Sequence, residues 1–504
     1  MDRSIRRLGA FMMLLFCALF VQLNYIQVLR ASDLNIKPGN NRPIDQSFAK
    51  PRGTIATADG VLLARSVKSN DRFQYQREYP EGELYAALTG YFSYVYGATG
   101  LERAYNEELS GKTAKQQIKS VGDLFVDKDR TGNLTLSVRS DIQKVAKAAL
   151  GDFKGSVVAL DPRSGDVLAM YSNPSFDPNL IADHDVEDSQ AAYNWLNATE
   201  GKPMLAKSYR EIYPPGSTFK VVTGSTGVEK GGVTPTEPVY PSVSSITVRG
   251  TTRPLRNFDN EQCGGTLFVV LARSCNTSFA QMGLDLGGDK MVEGAQAFGF
   301  NSTPPFDLPA VPSHFKTDFT RDEPALAQSS IGQNETAATP LQMALVAAGV
   351  ANDGVIMEPH VVSEIRDGEG DQVSKHDPTQ WKRAISPQTA QTMRDGMLEV
   401  VRNGSATRLQ IEGYDVGAKT GTAQFGPSEP LRSHAWIIAW AAVPGQAPSI
   451  AVAVIVENQT GASETTGGRL AAPIAKQVIE QSFQPMPAPP AGLPGSTTST
   501  TAAN

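Results

Sequence analysis

The sequence predicts an α+β domain that follows a smaller N-terminal domain and a single membrane helix. Three observations support this architecture. Apolar strand patterns stand at both ends of the region 155–483, a long helical region lies between them, and an uncharged stretch over 8–29 follows three N-terminal arginines. Strands from distant segments that enclose helices are typical of α+β folds.

Composition narrows the class of function. The chain of 504 residues is long enough for several domains and a large core. A net charge of -6 argues against nucleic acid as a partner. The five histidines are scattered, with no His-Glu-x-x-His motif and no Gly-x-x-x-x-Gly-Lys loop. We therefore expect no metal site and no cofactor.

The N-terminus predicts a membrane anchor. Residues 8–21 are continuously apolar but too short to cross a membrane alone, whereas the uncharged stretch 8–29 is long enough. A cleaved signal peptide is the alternative, but no small-x-small cleavage site follows the apolar run. The basic flank predicts a single-pass membrane protein with its N-terminus in the cytoplasm and residues 31–504 outside.

Two amides interrupt the outer half of this stretch. Asn24 and Gln27 are three residues apart and would share one helix face. Their side chains are either solvated at the outer surface of the membrane or form hydrogen bonds to another membrane helix.

The chain divides into four predicted segments. Residues 1–30 form a cytoplasmic stub and the anchor, 31–154 a linker and an N-terminal domain, 155–483 the α+β domain, and 484–504 a disordered tail of Pro, Ser, Thr, Ala and Gly. Strand patterns around Asp59-Gly60 begin the N-terminal domain after a polar linker over 31–50.

The α+β domain is predicted from four strand patterns and a terminal helix. A turn at 161–165 joins strands at 156–160 and 166–170, and further strands span 435–442 and 450–456. A helix over 471–483 follows. We expect the hairpin and the strands within 415–456 to form one antiparallel sheet, with helices packed against it.

Ser217–Lys220 (Ser-Thr-Phe-Lys) is the first of three short motifs. Two prolines and a glycine precede it, so we expect a helix to begin at Ser217 with Lys220 on the same face. A helix N-terminus favours an alkoxide, and burial lowers the pKa of a lysine until it can accept the serine proton. Alone, the pattern is better explained as a capping serine and a solvated lysine. A second copy, Ser313–Lys316, lies outside any helical pattern and has no partner motifs, so we reject it.

Ser274–Asn276 (Ser-Cys-Asn) follows an apolar helical stretch over 267–272. Ser274 is a candidate to relay a proton to a leaving amine, and Asn276 to bind a substrate amide. Cys263 and Cys275 would lie roughly 18 Å apart along a straight helix, whereas a disulfide needs Cα atoms within about 7 Å. We therefore do not expect a disulfide unless the segment folds back.

Lys419–Thr422 (Lys-Thr-Gly-Thr) begins a candidate strand. Gly421 would let a ligand backbone approach the strand edge closely, and an extended peptide can pair with such an edge. Lys419 supplies positive charge, while Thr420 and Thr422 offer hydroxyls to a carboxylate.

The three motifs gain their meaning from occurring together in order. They supply a nucleophile, a base, a second hydroxyl with an amide, and a cationic strand edge, which are the groups that acylate a serine with a peptide-like substrate. The N–H groups of Ser217 and Thr422 are candidates for an oxyanion hole.

On these motifs the chain resembles the class B penicillin-binding proteins of the penicillin-binding protein A type. The stretches 213–220 (Tyr-Pro-Pro-Gly-Ser-Thr-Phe-Lys) and 419–424 (Lys-Thr-Gly-Thr-Ala-Gln) carry the resemblance at the site, and 52–55 (Arg-Gly-Thr-Ile), 100–102 (Gly-Leu-Glu) and 172–179 (Ser-Asn-Pro-Ser-Phe-Asp-Pro-Asn) carry it elsewhere. It spans residues 1–483. It departs at 56–60, which read Ala-Thr-Ala-Asp-Gly where many members have an Asp-Arg pair.

The resemblance implies a penicillin-binding, serine transpeptidase fold that follows an elongated N-terminal domain, the pedestal. The implied activity is cross-linking of peptidoglycan stem peptides through a serine acyl-enzyme, with release of D-Ala from a D-Ala-D-Ala donor and a role in division. β-Lactams would be inhibitors, and a polytopic membrane glycosyltransferase would be a partner.

The resemblance also implies roles for individual residues. Ser217 would be the nucleophile, Lys220 its base and Ser274 a proton shuttle. Asn276 and Lys419 would orient the peptide, and its carboxylate would bind to Thr420 and Thr422.

Three alternatives remain beside this function. A D,D-carboxypeptidase or β-lactamase-like hydrolase shares the site but usually lacks the pedestal. A β-lactam sensor would have several membrane spans, and a non-catalytic scaffold of the wall-building complex would not need all three motifs.

Overall fold

The computed structural model describes residues 2–26, 42–117, 129–425, 432–460 and 466–489. The predicted tail beyond 489, Gln27 and most of the predicted linker lie outside the described residues. The chain forms two compact units, residues 1–51 with 67–76, and residues 52–66 with 77–504.

The α-helices are interspersed along the whole chain. They are α1 Asp2–Asn24, α2 Arg42–Phe48, α3 Ala86–Thr89, α4 Gly100–Ala104, α5 Asn106–Leu109, α6 Ala114–Gln117, α7 Ser140–Leu150, α8 Asn179–Ala182, α9 Val186–Ala198, α10 Lys207–Arg210, α11 Lys220–Gly231, α12 Leu267–Ala272, α13 Asn276–Leu286, α14 Gly288–Ala297, α15 Glu323–Ser329, α16 Pro340–Ala351, α17 Pro387–Asn403 and α18 Gly467–Ser482.

The strands occur in the N-terminal part, at the two ends of the predicted α+β domain and, as short strands, between those ends. They are β1 Ile55–Ala56, β2 Leu62–Lys68, β3 Tyr75–Glu78, β4 Phe92–Ser93, β5 Gly97–Ala98, β6 Asn133–Leu136, β7 Gly155–Leu160, β8 Val167–Asn173, β9 Tyr240–Val243, β10 Ser245–Ile246, β11 Leu255–Arg256, β12 Cys263–Gly265, β13 Val355–Met357, β14 Val362–Arg366, β15 Gln372–Lys375, β16 Gln380–Arg383, β17 Asp415–Phe425, β18 Arg432–Ala442 and β19 Ile450–Thr460.

The predicted membrane helix is present as α1. Its residues Arg3–Asn24 are long and apolar enough to cross a membrane. The Asn24 amide donates to the carbonyl of Phe20 at 2.8 Å, so one of its two N–H groups is used within the helix itself. Helix α2 lies in the predicted linker and was not expected, because the stretch 31–50 is polar and contains Pro43. Proline is tolerated in the first turn, where the N–H groups have no intrahelical acceptor.

A five-stranded antiparallel sheet in the order β17-β18-β19-β7-β8 lies at the centre of the larger unit. Strand β18 pairs with β17 along eleven residues, from Asp415↔Ala442 to Phe425↔Arg432. Strand β19 joins this pair to the hairpin of β7 and β8. The predicted union of the hairpin with the C-terminal strands is therefore confirmed, and β17 forms an edge of the sheet.

Helices cover the sheet on both faces. Strand β18 is buried at every residue from 433 to 442 and β7 along its whole length, which requires apolar cover above and below. Helix α16, itself buried throughout, packs on β18, β19 and β7. Helices α18 and α7 pack on each other and on strands of the same sheet. The predicted α+β arrangement is confirmed.

The second large sheet combines segments that are distant in sequence. Its order is β15-β14-β6-β1-β2-β3, with β1 and β6 parallel and β6 and β14 antiparallel. Strands β14 and β15 come from residues 362–375, far into the predicted α+β domain. Two strands of the N-terminal sheet are therefore supplied by a hairpin whose sequence belongs to the predicted α+β domain.

A buried charge cluster holds the N-terminal part of the larger unit together. The Glu102 carboxylate is fully buried and accepts hydrogen bonds from Arg52 at 3.0 Å and from Arg77 at 2.6 Å. Burial alone would raise the pKa of Glu102, but the charges and hydrogen bonds of Arg77 and Arg52 hold this pKa below its usual value. The carboxylate is thus charged, and it also accepts a hydrogen bond from the Tyr79 hydroxyl at 3.3 Å.

We expect Glu102→Gln to destabilise the fold strongly, because it leaves two buried guanidinium groups without a counter-charge. The free energy of unfolding should fall by about 3–5 kcal/mol, the usual effect of removing one partner from a buried ion pair. Thermal unfolding of the full chain in detergent measures this. Glu293→Gln, which removes an exposed partner of Lys230, is the control and should leave the melting temperature unchanged. Equal effects of the two variants would contradict a structural role for the cluster.

Candidate active site

Ser217 lies in the first turn of a helix, as predicted. A 3₁₀ segment, Gly216–Phe219, runs directly into α11, so the helical structure begins one residue before Ser217. A 3₁₀ helix has three residues per turn, which places Ser217 and Lys220 on one face. Ser217 is half-buried, whereas Lys220 is completely buried.

Residues before Ser217 are bound to the central sheet. The indole N–H of Trp436 in β18 donates to the carbonyl of Pro214 at 3.1 Å. The Tyr213 hydroxyl donates to Glu457 of β19 at 2.8 Å, and the same carboxylate accepts from the ammonium of Lys207 at 2.9 Å. These contacts fix the turn that delivers Ser217 relative to β17–β19.

The Lys220 ammonium points at the second motif. It donates to the carbonyl of Ser274 at 2.7 Å, to the Ser274 hydroxyl at 3.2 Å and to the Asn276 side-chain carbonyl at 2.6 Å. Ser274 stands between α12 and α13 with φ of +60°, and Asn276 is the first residue of α13. This left-handed residue turns the chain so that both side chains of the motif face Lys220.

Lys419 approaches the same hydroxyl from the sheet. Its ammonium donates to the Ser274 hydroxyl at 2.8 Å and to the carbonyl of Thr420 at 3.0 Å. The Ser274 hydroxyl is therefore shared by two buried lysines, one from each of the other motifs.

Burial controls the protonation of both lysines. It is the main cause that lowers the pKa of Lys220 well below the ordinary lysine value, and the charge of Lys419 lowers it further. Burial also lowers the pKa of Lys419 to about 7. Neither ammonium has a carboxylate within 4.0 Å in the part of the chain that the structure describes. Without a counter-charge, desolvation favours the neutral amine.

A disulfide joins Cys263 to Cys275, contrary to expectation. Their Cα atoms are 5.5 Å apart. The sequence-based distance assumed one straight helix, but the segment consists of the short strand β12, the helix α12 and a reversal at Ser274. The N–H of Cys275 bonds back to the carbonyl of Val270 at 2.9 Å, so the chain does fold back. The disulfide fixes the residue between Ser274 and Asn276 to β12.

The third motif occupies the edge strand β17. Lys419–Thr422 pair with residues 435–438 of β18, and among the described residues no strand pairs with the other edge of β17. Gly421 is required there by close packing, because a Cβ at this position would lie 2.8 Å from the carbonyl oxygen of Pro215. The strand can therefore lie directly beside the turn that precedes Ser217.

One cavity of about 920 Å³ collects the functional groups. Among its lining residues are the predicted site residues Ser217, Ser274, Asn276, Thr420 and Thr422. Lys220 and Lys419 lie beneath this surface and reach it through Ser274, while Gly421 contributes close packing rather than lining. The structure brings all three motifs together.

The rejected copy of the first motif lies elsewhere. Ser313 is buried and accepts a hydrogen bond from the N–H of Thr339, and Lys316 pairs with Asp322 at 2.7 Å. These residues stabilise local structure and do not line the cavity.

The motifs did not identify two further groups at the site. Ser405, in the loop after α17, lies 2.6 Å from the Thr420 hydroxyl, oxygen to oxygen, and lines the cavity. Glu457 and Lys207 form the buried pair that holds Tyr213. No local pattern marks these residues, since each acts through a partner in another element, 15 residues away for Ser405 and 250 residues away for Glu457.

Comparison with known families agrees with this geometry. Residues 155–480 match the penicillin binding protein transpeptidase domain, and residues 52–134 match the penicillin binding protein A dimerisation domain. Together these two families account for most of the chain.

Two curated relatives are similar along nearly their whole length. The peptidoglycan D,D-transpeptidase PbpA of Mycolicibacterium smegmatis is 39% identical over 491 residues, which cover 95% of this chain and 98% of the relative. The protein of the same name from Mycobacterium tuberculosis is 38% identical over 499 residues, covering 97% of this chain and 100% of the relative.

Solved structures show the same fold. Penicillin-binding protein A from M. tuberculosis, as its ceftriaxone acyl-enzyme complex, matches with a TM-score of 0.82 and 37% identity over 87% of this chain and 100% of that chain. Its penicillin G acyl-enzyme complex matches with a TM-score of 0.80 and 37% identity over 86% and 100% of the two chains. The chain thus belongs to the penicillin-binding protein family and is a serine-type transpeptidase of the penicillin-binding protein A type.

Proposed function

We propose that this chain is a membrane-anchored peptidoglycan D,D-transpeptidase that uses Ser217 as its nucleophile. The observation that carries the proposal is the convergence of the three motifs. A half-buried serine, a buried lysine with a lowered pKa and a hydroxyl shared by two lysines meet at one cavity beside an open strand edge. The relatives named as D,D-transpeptidases and the β-lactam acyl-enzymes support the substrate class.

In the acylation step, Ser217 attacks the carbonyl carbon between the two D-Ala residues of a donor stem peptide. Neutral Lys220 accepts the serine proton, because its pKa is lowered by burial. The oxyanion forms beside the N–H groups of Ser217 and Thr422. The Ser217 N–H lies in the first turn of a helix, where it has no intrahelical acceptor, and it is therefore available to the oxyanion. Ser274 gives its hydroxyl proton to the departing D-Ala amine and takes in return the proton that Lys220 removed from Ser217, so Lys220 becomes neutral again.

The donor binds as an additional strand along the open edge of β17. Backbone pairing with residues around Gly421 orients the peptide, and Asn276 binds one of its amides. The terminal carboxylate is bound by the hydroxyls of Thr420 and Thr422, which lie two residues apart and so share one face of the strand. The pKa of Lys419 is lowered to about 7, and a carboxylate bound at the same place favours its protonated form, which in turn attracts the carboxylate.

In the second step, the amine of a neighbouring stem peptide attacks the acyl-enzyme. A new amide bond forms, Ser217 regains its proton, and the two strands of peptidoglycan are cross-linked. β-Lactams acylate Ser217 in place of the donor. A role in division remains a prediction from the resemblance.

The domain boundaries and the topology predicted from the sequence belong to this proposal. Helix α1 anchors the chain in the membrane, its basic flank stays in the cytoplasm, and the domains begun at residues 31 and 155 lie outside. A polytopic membrane glycosyltransferase supplies the glycan strands and contacts the anchor near Asn24. Copurification of the full chain with that enzyme from detergent checks this partner.

We expect Ser217→Ala to abolish covalent labelling by a fluorescent penicillin, because the proposed acyl-enzyme is an ester of the Ser217 hydroxyl. A denaturing gel measures the label. Ser313→Ala, the serine of the rejected motif, is the matched control and should be labelled like the wild type. Labelling of intact cells with a membrane-impermeant penicillin tests the topology. Persistent labelling of Ser217→Ala would contradict the assignment of the nucleophile.

We expect the acylation rate to rise with pH through the lowered pKa of Lys220 and to level off well below the ordinary lysine value of 10.5. Only the neutral amine accepts a proton, so the rate is low at pH values below this pKa. Lys220→Arg should lower acylation at least about 100-fold at every pH, since a guanidinium stays charged. Stopped-flow acylation by penicillin G measures both effects. A rate that continues to rise towards pH 10.5 would mean that Lys220 is not the base.

We expect the acyl group to pass to an amine rather than to water. Incubation of the full chain with a D-Ala-D-Ala stem peptide and an acceptor stem should produce a cross-linked dimer together with free D-Ala, both detected by mass spectrometry. Release of D-Ala without dimer would instead favour a D,D-carboxypeptidase. The Ser217→Ala variant controls for background hydrolysis.

A further inference from the structure

Ser405 connects the two sides of the cavity although it belongs to none of the motifs. It stands in the loop between α17 and the 3₁₀ segment Thr407–Leu409 and is exposed to the cavity. Its hydroxyl oxygen lies 2.6 Å from that of Thr420 on β17. Its N–H donates to the carbonyl of Ala272 at 3.1 Å. Ala272 ends α12, two residues before Ser274.

The backbone around Ser405 fits both sides closely. A Cβ on Gly404 would lie 2.4 Å from the carbonyl oxygen of Ala272, so only glycine permits this approach. From the other side, α18 brings Gly468 against the carbonyl of Ser405. The position of the Ser405 hydroxyl is thus set by the segment that carries Ser274 and by the helix behind β17.

The contact with Thr420 determines what the Thr420 hydroxyl can offer a ligand. Each hydroxyl has one proton and two lone pairs. One proton is used between Ser405 and Thr420, whichever residue donates, and the other remains free for an anionic ligand in the cavity. A donor held in this way loses less conformational freedom on binding than a freely rotating hydroxyl. The pair therefore presents one oriented O–H group.

We propose that Ser405 is a positioning residue for the terminal carboxylate of the donor and of β-lactams, an inference that rests on the proposed function. Its hydroxyl orients Thr420, and its N–H holds the loop that carries this hydroxyl at the end of α12, two residues before Ser274. The tie to Ala272 is made by the backbone, so a change of the side chain removes only the first of these two effects.

The test compares acylation by penicillin G, which has a free carboxylate, with acylation by its methyl ester. We expect Ser405→Ala to lower the second-order rate constant about tenfold for penicillin G, the size of one lost hydrogen bond. For the ester we expect a loss of less than twofold. Ser405→Thr keeps the hydroxyl and should retain the wild-type preference. Ser110→Ala is the control. It removes an exposed hydroxyl directly after α5 that donates to the carbonyl of Asn106, and it should change neither rate.

A second background shows whether Ser405 acts through Thr420. In a Thr420→Val chain, adding Ser405→Ala should cause no further loss with penicillin G, because the hydroxyl that Ser405 orients is already gone. A further tenfold loss would overturn the proposal. If Ser405→Ala does not fold, Ser405→Cys replaces it in the same rate comparison, because a thiol has a similar size but is a weak hydrogen-bond donor.

The remaining outcomes are also decisive. Equal losses with penicillin G and with its ester would mean that Ser405 supports the cavity in general, and unchanged rates would mean that it has no role. Either result overturns the inference and leaves the function of Ser217 intact. A wild-type chain that penicillin G does not acylate overturns the inference and the proposed function together.

Discussion

The structure of the site depends on the burial of two lysines around one hydroxyl. Lys220 and Lys419 are withdrawn from water and both donate to Ser274. An unpaired ammonium is strongly disfavoured in such surroundings, so the amine gives up its proton more easily than in water. The free energy that burial costs must come from packing elsewhere. A large buried core that includes the strands β7, β18 and β19 provides it.

Rigid connections turn this burial into a defined geometry. Trp436 and Glu457 bind the turn before Ser217 to the central sheet, and the disulfide binds Cys275 to β12. The first two motifs are therefore attached to structure outside the cavity, and the third is itself part of the central sheet. A base and a nucleophile act efficiently only when their positions are set before the substrate arrives, which is what these attachments achieve.

Local patterns in the sequence predicted the elements that bury one continuous apolar surface. The strands β7, β8, β18 and β19 were expected because their apolar runs are bounded by turn residues, and the helix at Ser217 because prolines and a glycine precede it. Pairings between distant segments left no such pattern. Strands β14 and β15 complete an N-terminal sheet, and their short, half-exposed sequences do not indicate that partner. The disulfide was missed for a related reason, because one left-handed residue at Ser274 reversed a segment that was treated as straight.

The sequence by itself determined the anchor, the class of fold and the chemical groups of the site. These depend on residue type and on spacing within a few residues, which local physics controls. Only the tertiary structure decided that both lysines are buried, that they share Ser274, and that Ser405 and Glu457 belong to the site. Those properties arise when segments separated by 15 to 250 residues pack together, and no local interaction encodes which partners they find.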